Sequence, residues 1–588
     1  MTEPAQDSGA RHPDPAPPRV TAERAAAYRA RGWWTGQRVE DMVLAGSAAR
    51  PDRPAVTAGE HRLTHGQLTD AVEGAAARLT RLGTARGDTV LVQLPNIVEL
   101  VVLSLALLRV GAHPVLTLPS LRRRELAHVL RIVRPTAMAV PRRLDRFDHC
   151  SLARELALGC PGLDTLLVVD HQPGEVPAVP DGHRDEAPEK PADGGPRIVD
   201  LAALCRPERE DGPAPAPLGP PAEGEPAVFL LSSGTTGPPK PIARDHEGYG
   251  YMIRTASEQV GLSAESVLLA VMPATHGFVW NCPGVLGTLT AGGHVVLGSP
   301  QDADGTLDLI AREQVTHCAL VPALVGQWLT AAERRAPGER PRSLRVLQVG
   351  GSRLEPEPAE RAARLLGCTV QQMYGMSEGL LACTALDDPA EIIAGTQGRP
   401  LSPGDEIRIV DDDDRPVPPG TAGSLLTRGP YTVSGYHADP AATARAFTAD
   451  GFYRTGDVVR LHPSGNLIVE GRLDDVINRG GEKISGGELE ELIVRHPKVA
   501  AAAAVAMPHP VWGQAVCLCV VPAADAEGGP APEPGLLELR RHLAQSGLAP
   551  YKLPERLEIL DALPMIGVGK VNRVALRAQV ADAAPQGR

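Results

Sequence analysis

Short apolar, β-prone runs recur along this chain, each separated from the next by a helical stretch, and that alternation limits the folds open to it. The runs fall at residues 90–94, 166–169, 227–231, 295–297, 318–321 and 346–349. Helical patterns lie between them, such as the apolar segment that leaves the Leu94-Pro95-Asn96 turn and continues through Leu108, and residues 358–366. Strands alternating with helices imply an α/β chain whose largely parallel sheets are covered by helices.

At 588 residues the chain has room for more than one domain. Residues 1–20 are dense in Pro, Ala and charge, which predicts a disordered tail, with a helix starting at about Thr21. Residues 172–226 interrupt the rhythm with Pro, Gly and acid; only 198–205 have an ordered pattern, so the stretch reads as a surface insertion. After Gly404 hairpins take over, 406–410 leading through Asp411-Asp412-Asp413-Asp414 to 423–427. Four successive carboxylates suggest a metal, but a solvated turn is the better reading. A small α+β tail begins near Arg472, where Gly480-Gly481 opens a new pattern.

Several functions are excluded or set aside. A net charge of −12, with arginines interspersed among acids, argues against nucleic-acid binding. No apolar run is long enough for a bilayer and Met1-Thr2-Glu3-Pro4 is no signal peptide, so no membrane partner and a cytoplasmic location are expected. The nine cysteines form no CxxC pair or metal-finger spacing. Cys517 and Cys519 alternate in an apolar run and read as buried thiols.

Positive charge is written almost entirely as arginine: six of the 59 basic residues are lysine, leaving 53 arginines. Lysine is ordinarily common, and a compact ammonium does a different job from a planar guanidinium. Lys240, Lys483, Lys552 and Lys570 sit in Gly- or Pro-marked segments beside other reactive side chains; Lys190 and Lys498 do not. Lys240 closes the loop Ser232-Ser233-Gly234-Thr235-Thr236-Gly237-Pro238-Pro239-Lys240, directly after an apolar strand. Such a loop offers backbone N–H groups, hydroxyls and an ammonium to an anion, with polyphosphate the best fit. It is not the P-loop, which ends in Gly-Lys-Ser/Thr, because prolines flank Lys240; Gly569-Lys570-Val571 fails the same test.

Two further segments carry chemistry. In residues 371–379, Tyr374 is suited to stack on a base, Ser377 to touch phosphate and Glu378 to hold Mg²⁺. Asp457, in Tyr453-Arg454-Thr455-Gly456-Asp457, is an acid on a tight turn suited to accept two ribose hydroxyls. Taken singly, an ordinary strand–loop and a plain turn aspartate are the better readings.

The combination decides. Loop 232–240, Tyr374 to Glu378, Thr455 to Asp457, Gly471-Arg472-Leu473-Asp474-Asp475 and Pro564 to Lys570 occur in that order. Together they resemble the adenylate-forming superfamily of acyl-CoA synthetases, peptide-synthetase adenylation domains and luciferases, from about Arg31 to Leu576. Arg31-Gly32-Trp33-Trp34, Leu94-Pro95-Asn96, Pro283-Gly284-Val285-Leu286-Gly287, Thr427-Arg428-Gly429-Pro430-Tyr431 and the wording around 347–351 and 478–483 narrow it. They resemble stand-alone aryl-acid AMP ligases that load 2,3-dihydroxybenzoate or salicylate onto carrier proteins in siderophore assembly.

The resemblance implies a large N-terminal domain (21–471) with doubly wound mixed sheets and a small barrel-like β part. It also implies a small mobile α+β C-terminal domain (472–588) turning at a hinge on Asp474. It implies ATP and Mg²⁺ as cofactors and an aryl carrier protein with its phosphopantetheine arm as partner. Loop residues Ser232 to Lys240 would grip phosphates, Glu378 would bind the metal, and Asp457, with Arg472 nearby, would hold ribose. Gly351 and Tyr374 would line the adenine site. Lys570 would bridge the acyl carboxylate and α-phosphate. His276, Gly277, Cys282, Gly350 and Leu381 would bound the acid pocket. Lys483 and Lys552 stay open between structural contacts and roles along the carrier-arm path.

One stretch departs from the pattern. Gly277 stands where salicylate-type enzymes carry an Asn for the 2-hydroxyl, and Trp280, Asn281 and Cys282 replace small or hydroxyl residues. Loss of a buried polar partner weakens recognition of that hydroxyl and opens space. The expected substrate is therefore a different aryl or heteroaryl acid: 3-hydroxypicolinate, an anthranilate, or a quinoline- or quinoxaline-type acid that starts a nonribosomal peptide. Ile566 also replaces a more usual Thr in the loop before Lys570.

Overall fold

The alternating runs become two largely parallel sheets in a computed structural model that describes residues 20–175, 194–207, 216–232, 239–299, 302–411, 413–472, 476–523, 533–566 and 570–582. The first sheet has the spatial order Pro241–Asp245, Pro226–Leu231, His113–Leu116, Thr89–Val92, Ala137–Pro141, Thr165–Val169, Arg197–Asp200. All neighbours are parallel except the opening hairpin. The second runs Arg399–Pro400, Leu381–Cys383, Thr369–Gly375, Val346–Val349, His317–Leu320, Val267–Ala270, His294–Leu297, Pro54–Ala58, His61–Thr64. It is parallel at its centre and antiparallel at both edges.

Burial explains the helices between them. All 13 residues of the helix Val98–Val110 are buried, and it shares one apolar core with strands of both sheets. A helix apolar on every side belongs in the interior. The helix Arg123–Val133 buries only Glu125, Leu126, Val129, Leu130 and Val133, the single stripe of a helix with one wet face.

The strand Thr89–Val92 ends earlier than the apolar run 90–94 suggested, because Leu94-Pro95-Asn96 serves another purpose. Buried Asn96 donates from Nδ2 to the carbonyls of Ala270, Met272 and Gly298 at 3.0, 2.9 and 3.0 Å, and its Oδ1 accepts from the Ala274 N–H at 2.7 Å. It ties the strand ends of one sheet to the other. The described part of the expected insertion does more than cover the surface: Arg197–Asp200 pairs with Thr165–Val169 as the edge strand of the first sheet, and Leu201 and Leu204 are buried behind it.

The hairpin region forms a four-stranded antiparallel sheet, Glu406–Val410, Gly423–Arg428, Tyr453–Leu461, Leu467–Arg472. Tyr453–Leu461 alternates buried and half-buried residues, as a strand with one face on the core must. Its acidic turn is a turn: Asp411 Oδ1 accepts the N–H groups of Asp413 and Arg415, and Asp414 pairs with Arg454. The last sheet runs Glu482–Ser485, Val476–Arg479, Gly513–Pro522, Val499–His509, with Arg556–Ile559 alongside Gly513–Pro522. Cys517 and Cys519 are buried within it. Gly480 and Gly481 make a two-residue hairpin turn at φ +60° and +95°. A Cβ on Gly481 would come 2.5 Å from Val321 Cγ1, so glycine alone lets this tip press against the larger body. Among the described residues no helix is long and apolar enough to cross a membrane.

Candidate active site

Strands of both parallel sheets end at one cavity of about 1710 Å³. The segments singled out in the sequence meet there. At the end of Pro226–Leu231, Ser232 and Lys240 close the base of the phosphate-type loop: Ser232 N–H donates to the Lys240 carbonyl at 2.9 Å, and Lys240 N–H to Ser232 Oγ at 3.0 Å. Ser233, Gly234, Thr235, Thr236 and Gly237 lie outside the described residues. Lys240 Nζ sits 4.7 Å from the ring centre of Tyr436.

That tyrosine links the ammonium to the expected metal ligand. Tyr436 OH donates to Glu378 Oε1 at 2.9 Å and lies 3.3 Å from Tyr453 OH. Glu378 is buried, yet borders the cavity. Its turn is held from below by Arg244, which donates to the Ser377 carbonyl at 2.7 Å and to the Tyr431 carbonyl at 2.9 Å. Ser377 borders the same cavity.

Tyr374 and Asp457, 83 residues apart in sequence, are directly bonded: Tyr374 OH donates to Asp457 Oδ2 at 2.6 Å. Asp457 is braced by Thr455, whose Oγ1 accepts its N–H at 3.0 Å and donates to the Leu425 carbonyl at 3.0 Å. Arg472 stands opposite Asp457 in the strand register; its side chain lies outside the described residues. Gly350 and Gly351 follow Val346–Val349. A Cβ on Gly350 would meet Met373 O and Phe278 Cζ at 3.0 Å, so glycine allows that ring in; Gly351 takes φ +81°.

The acid end is built on the short helix Gly277–Asn281. His276 caps it, its Nδ1 accepting from the Phe278 N–H at 3.2 Å. Water in the cavity reaches this ring, but protein encloses it; burial, then the charge of Lys483, lowers its pKa to about 4. His276 is therefore a neutral imidazole at physiological pH. Gly277, Cys282 and Leu381 line the cavity. Trp280 does not: it is buried in the core behind the helix and leaves the pocket unchanged. Nor is the wall stripped of polar groups, because Asn281, one turn beyond Gly277, also lines the cavity.

The last sheet contributes as well. Asn478 Nδ2 donates to the Gly351 carbonyl at 3.0 Å, and Lys483 borders the cavity. Lys552 is deeply buried between Glu125 Oε1 at 3.1 Å and Glu488 Oε2 at 2.8 Å, a contact joining the helix Arg123–Val133 to the C-terminal part. Asp474 lies outside the described residues; Lys570 starts a two-residue strand paired with Met565–Ile566, and its side chain is likewise outside them. Reading the sequence missed Tyr436 and Arg244, and gave no role to Tyr453 and Asn96, which it met only as members of quoted segments. The scarcity of tyrosine, eight in all, was the available signal for Tyr436.

A buried carboxylate and an ammonium beyond the carboxyl ends of parallel strands, with an aspartate from the antiparallel sheet bonded to a phenol of the parallel one, define a nucleotide-handling α/β enzyme. Residues 45–437 match the AMP-binding enzyme family and residues 488–570 the AMP-binding enzyme C-terminal domain. The chain is 47% identical over 558 residues to a Streptomyces salicylyl-CoA synthase / salicylate adenylyltransferase, covering 94% of this chain and 96% of that one. It is 42% identical over 565 residues to the salicyl-AMP ligase / salicyl-S-ArCP synthetase of Mycobacterium tuberculosis, covering 95% and 94%. The apo structure of MbtA from Mycobacterium smegmatis superposes with a TM-score of 0.69 at 40% identity, covering 96% and 98%. The chain belongs to the AMP-binding enzyme family and is an adenylate-forming ligase.

Proposed function

We propose that this ligase activates an aromatic carboxylic acid with ATP and passes the acyl group to the phosphopantetheine thiol of an aryl carrier protein, the starter step of a nonribosomal peptide or siderophore. The observation that carries the reading is the shared cavity, which the Tyr374–Asp457 pair, Lys240, Glu378, His276 and Leu381 all line. In the first half-reaction a carboxylate oxygen attacks the α-phosphorus, and the bond to the departing pyrophosphate breaks. Two anions must approach, so cations at the site lower the barrier. Lys240 with the loop it closes would hold phosphates, and Asp457 the ribose. Lys570 would bridge carboxylate and α-phosphate.

The donor set suits Mg²⁺, which takes one or two carboxylates and completes its shell with phosphate oxygens and water. Glu378 would be its protein ligand, and no group of three or more His, Cys, Asp or Glu able to hold a metal exists among the described residues. Bound there, Mg²⁺ would neutralise phosphate charge.

In the second half-reaction the thiol sulfur attacks the acyl carbon, its proton leaves to solvent, and AMP departs. The hairpin Val476 to Ser485, which reaches the pocket through Asn478 and Lys483, supports its facing the pocket in this step. Rotation at Asp474 would exchange it with the Lys570 loop.

Acid-dependent ATP–pyrophosphate exchange across an aryl-acid panel tests the proposal. A heteroaryl or amino-aryl acid should be best, and Lys570→Ala should lower exchange at least ~100-fold while sparing transfer from supplied aryl-AMP. Salicylate or 2,3-dihydroxybenzoate as best substrate would defeat the substrate reading. A CoA-ligase reading draws support from the Streptomyces relative's name; faster transfer to free CoA than to a carrier protein would establish it.

A further inference from the structure

Tyr436 touches both groups assigned above to the phosphate end of the site. Its hydroxyl donates to Glu378 Oε1 at 2.9 Å, and its ring centre lies 4.7 Å from Lys240 Nζ. A phenol has one proton to give. That proton goes to Glu378, so in the 3.3 Å contact between the two phenols Tyr453 is the donor. The hydrogen bonds therefore run in one direction, from Tyr453 through Tyr436 to the carboxylate.

The tyrosine is itself held firmly. It is buried in an apolar cluster with Ile242, Val433, Ala442 and Tyr453. Its N–H donates to Thr443 Oγ1 at 2.9 Å, and the Phe447 ring stands edge-on to it at 6.4 Å. The Val433 N–H donates to the Glu378 carbonyl at 2.8 Å, so the same segment grips Glu378 by backbone and by side chain. Ile242 belongs to the strand that Lys240 leads into, which packs the other side of the arrangement against the ring. Lys240, Glu378 and Tyr436 all border the cavity.

We infer that Tyr436 is a positioning residue with two separable duties: its hydroxyl fixes the Glu378 carboxylate for the metal, and its ring fixes the Lys240 ammonium for phosphate. This rests on the reading above in which Glu378 holds Mg²⁺ and Lys240 holds phosphate. A partner that orients a ligating carboxylate is worth ~10- to 100-fold in metal affinity. The attraction of an ammonium to an aromatic ring is worth ~3- to 10-fold in an equilibrium constant.

Two substitutions separate the contacts, because Tyr436→Phe removes the hydroxyl and keeps the ring whereas Tyr436→Leu removes both. Mn²⁺ stands in for Mg²⁺, and its dissociation constant is read by electron paramagnetic resonance in the presence of α,β-methylene-ATP. Binding of ATP without metal is read by calorimetry in EDTA. Tyr436→Phe should weaken Mn²⁺ binding by ~10-fold or more and leave metal-free ATP within ~2-fold of the parent. Tyr436→Leu should weaken both. In a Glu378→Gln background Tyr436→Phe should have no further effect on Mn²⁺, because the hydroxyl acts through that carboxylate. Each constant is the midpoint of a titration, so a lower yield of folded protein does not alter it, and Tyr436→Phe decides the first duty even where Tyr436→Leu does not fold. Mn²⁺ affinity unchanged or raised in Tyr436→Phe, an equal loss in the Glu378→Gln background, or metal-free ATP weakened as much by Phe as by Leu overturns the inference. The reading it rests on stands in those cases, provided Glu378→Gln alone weakens Mn²⁺. If Glu378→Gln leaves Mn²⁺ affinity as it was, Glu378 is not the metal ligand, and that reading and this inference fall together.

Discussion

Lys552→Met should cost more than any surface charge removal in this protein. The methionine keeps the apolar stem and deletes the ammonium from between Glu125 and Glu488, all three nearly fully buried. Glu125 is also fixed by the Arg122 N–H at 3.1 Å and the Ala549 N–H at 3.0 Å, so it cannot swing to water. The remaining cation, Arg124, is 3.5 Å from Glu488 and partly solvated. Removing one partner of a buried ion pair costs about 3–5 kcal/mol, because the opposite charge is left desolvated. Two carboxylates are left here, which places the loss at the upper end. The assay is urea unfolding at pH 7.5 and 5.5. The deficit should shrink at the lower pH, as a stranded carboxylate takes up a proton. Since the contact fastens the C-terminal part in the arrangement that brings Asn478 and Lys483 to the pocket, transfer from supplied aryl-AMP should slow more than pyrophosphate exchange. A loss below ~1 kcal/mol at pH 7.5, with both partial reactions unchanged, would refute the reasoning, since that is the worth of an exposed pair.

Other consequences follow from the same geometry. His317 is buried against the Val260 carbonyl, and burial lowers its pKa to about 4. It is neutral when folded but protonates below about 6.5 when unfolded, so its contribution is complete above that pH and is lost as pH falls toward 4. Between pH 6.5 and 5 this is about 1.6 kcal/mol, and His317→Gln should lose that much less stability on acidification. Glu378→Gln should lower pyrophosphate exchange at least ~100-fold and raise the Mg²⁺ needed for half-maximal rate; a change under ~3-fold would remove Glu378 from the metal site. Gly284 has φ +52°, and a Cβ there would lie 1.8 Å from the Val279 carbonyl oxygen. Gly284→Ala should destabilise by more than ~3 kcal/mol, read as loss of soluble protein or of thermal midpoint.

Hydrophobic period and turn chemistry are local, and they determined the α/β class, the positions of the parallel strands, the helix Ala22–Ala30 that Thr21 caps, and the Gly480-Gly481 turn. The motif residues Lys240, Glu378, Tyr374 and Asp457 could be singled out only from their segments taken together; Tyr374 and Asp457 lie within the strands Thr369–Gly375 and Tyr453–Leu461 rather than on loops or a tight turn, and all four border one cavity. Pairings across long sequence separation were not legible. Nothing near Tyr374 announces that its hydroxyl finds Asp457, or that Lys552 neutralises Glu125. Those contacts exist only once two sheets and a third unit are packed together. The Gly277 substitution shows the same limit: in sequence it is a lost polar group, and packing places the Asn281 amide behind it. The sequence by itself determined which residues could do chemistry; tertiary structure decided which of them touch, because burial and charge pairing depend on neighbours that chain order does not name.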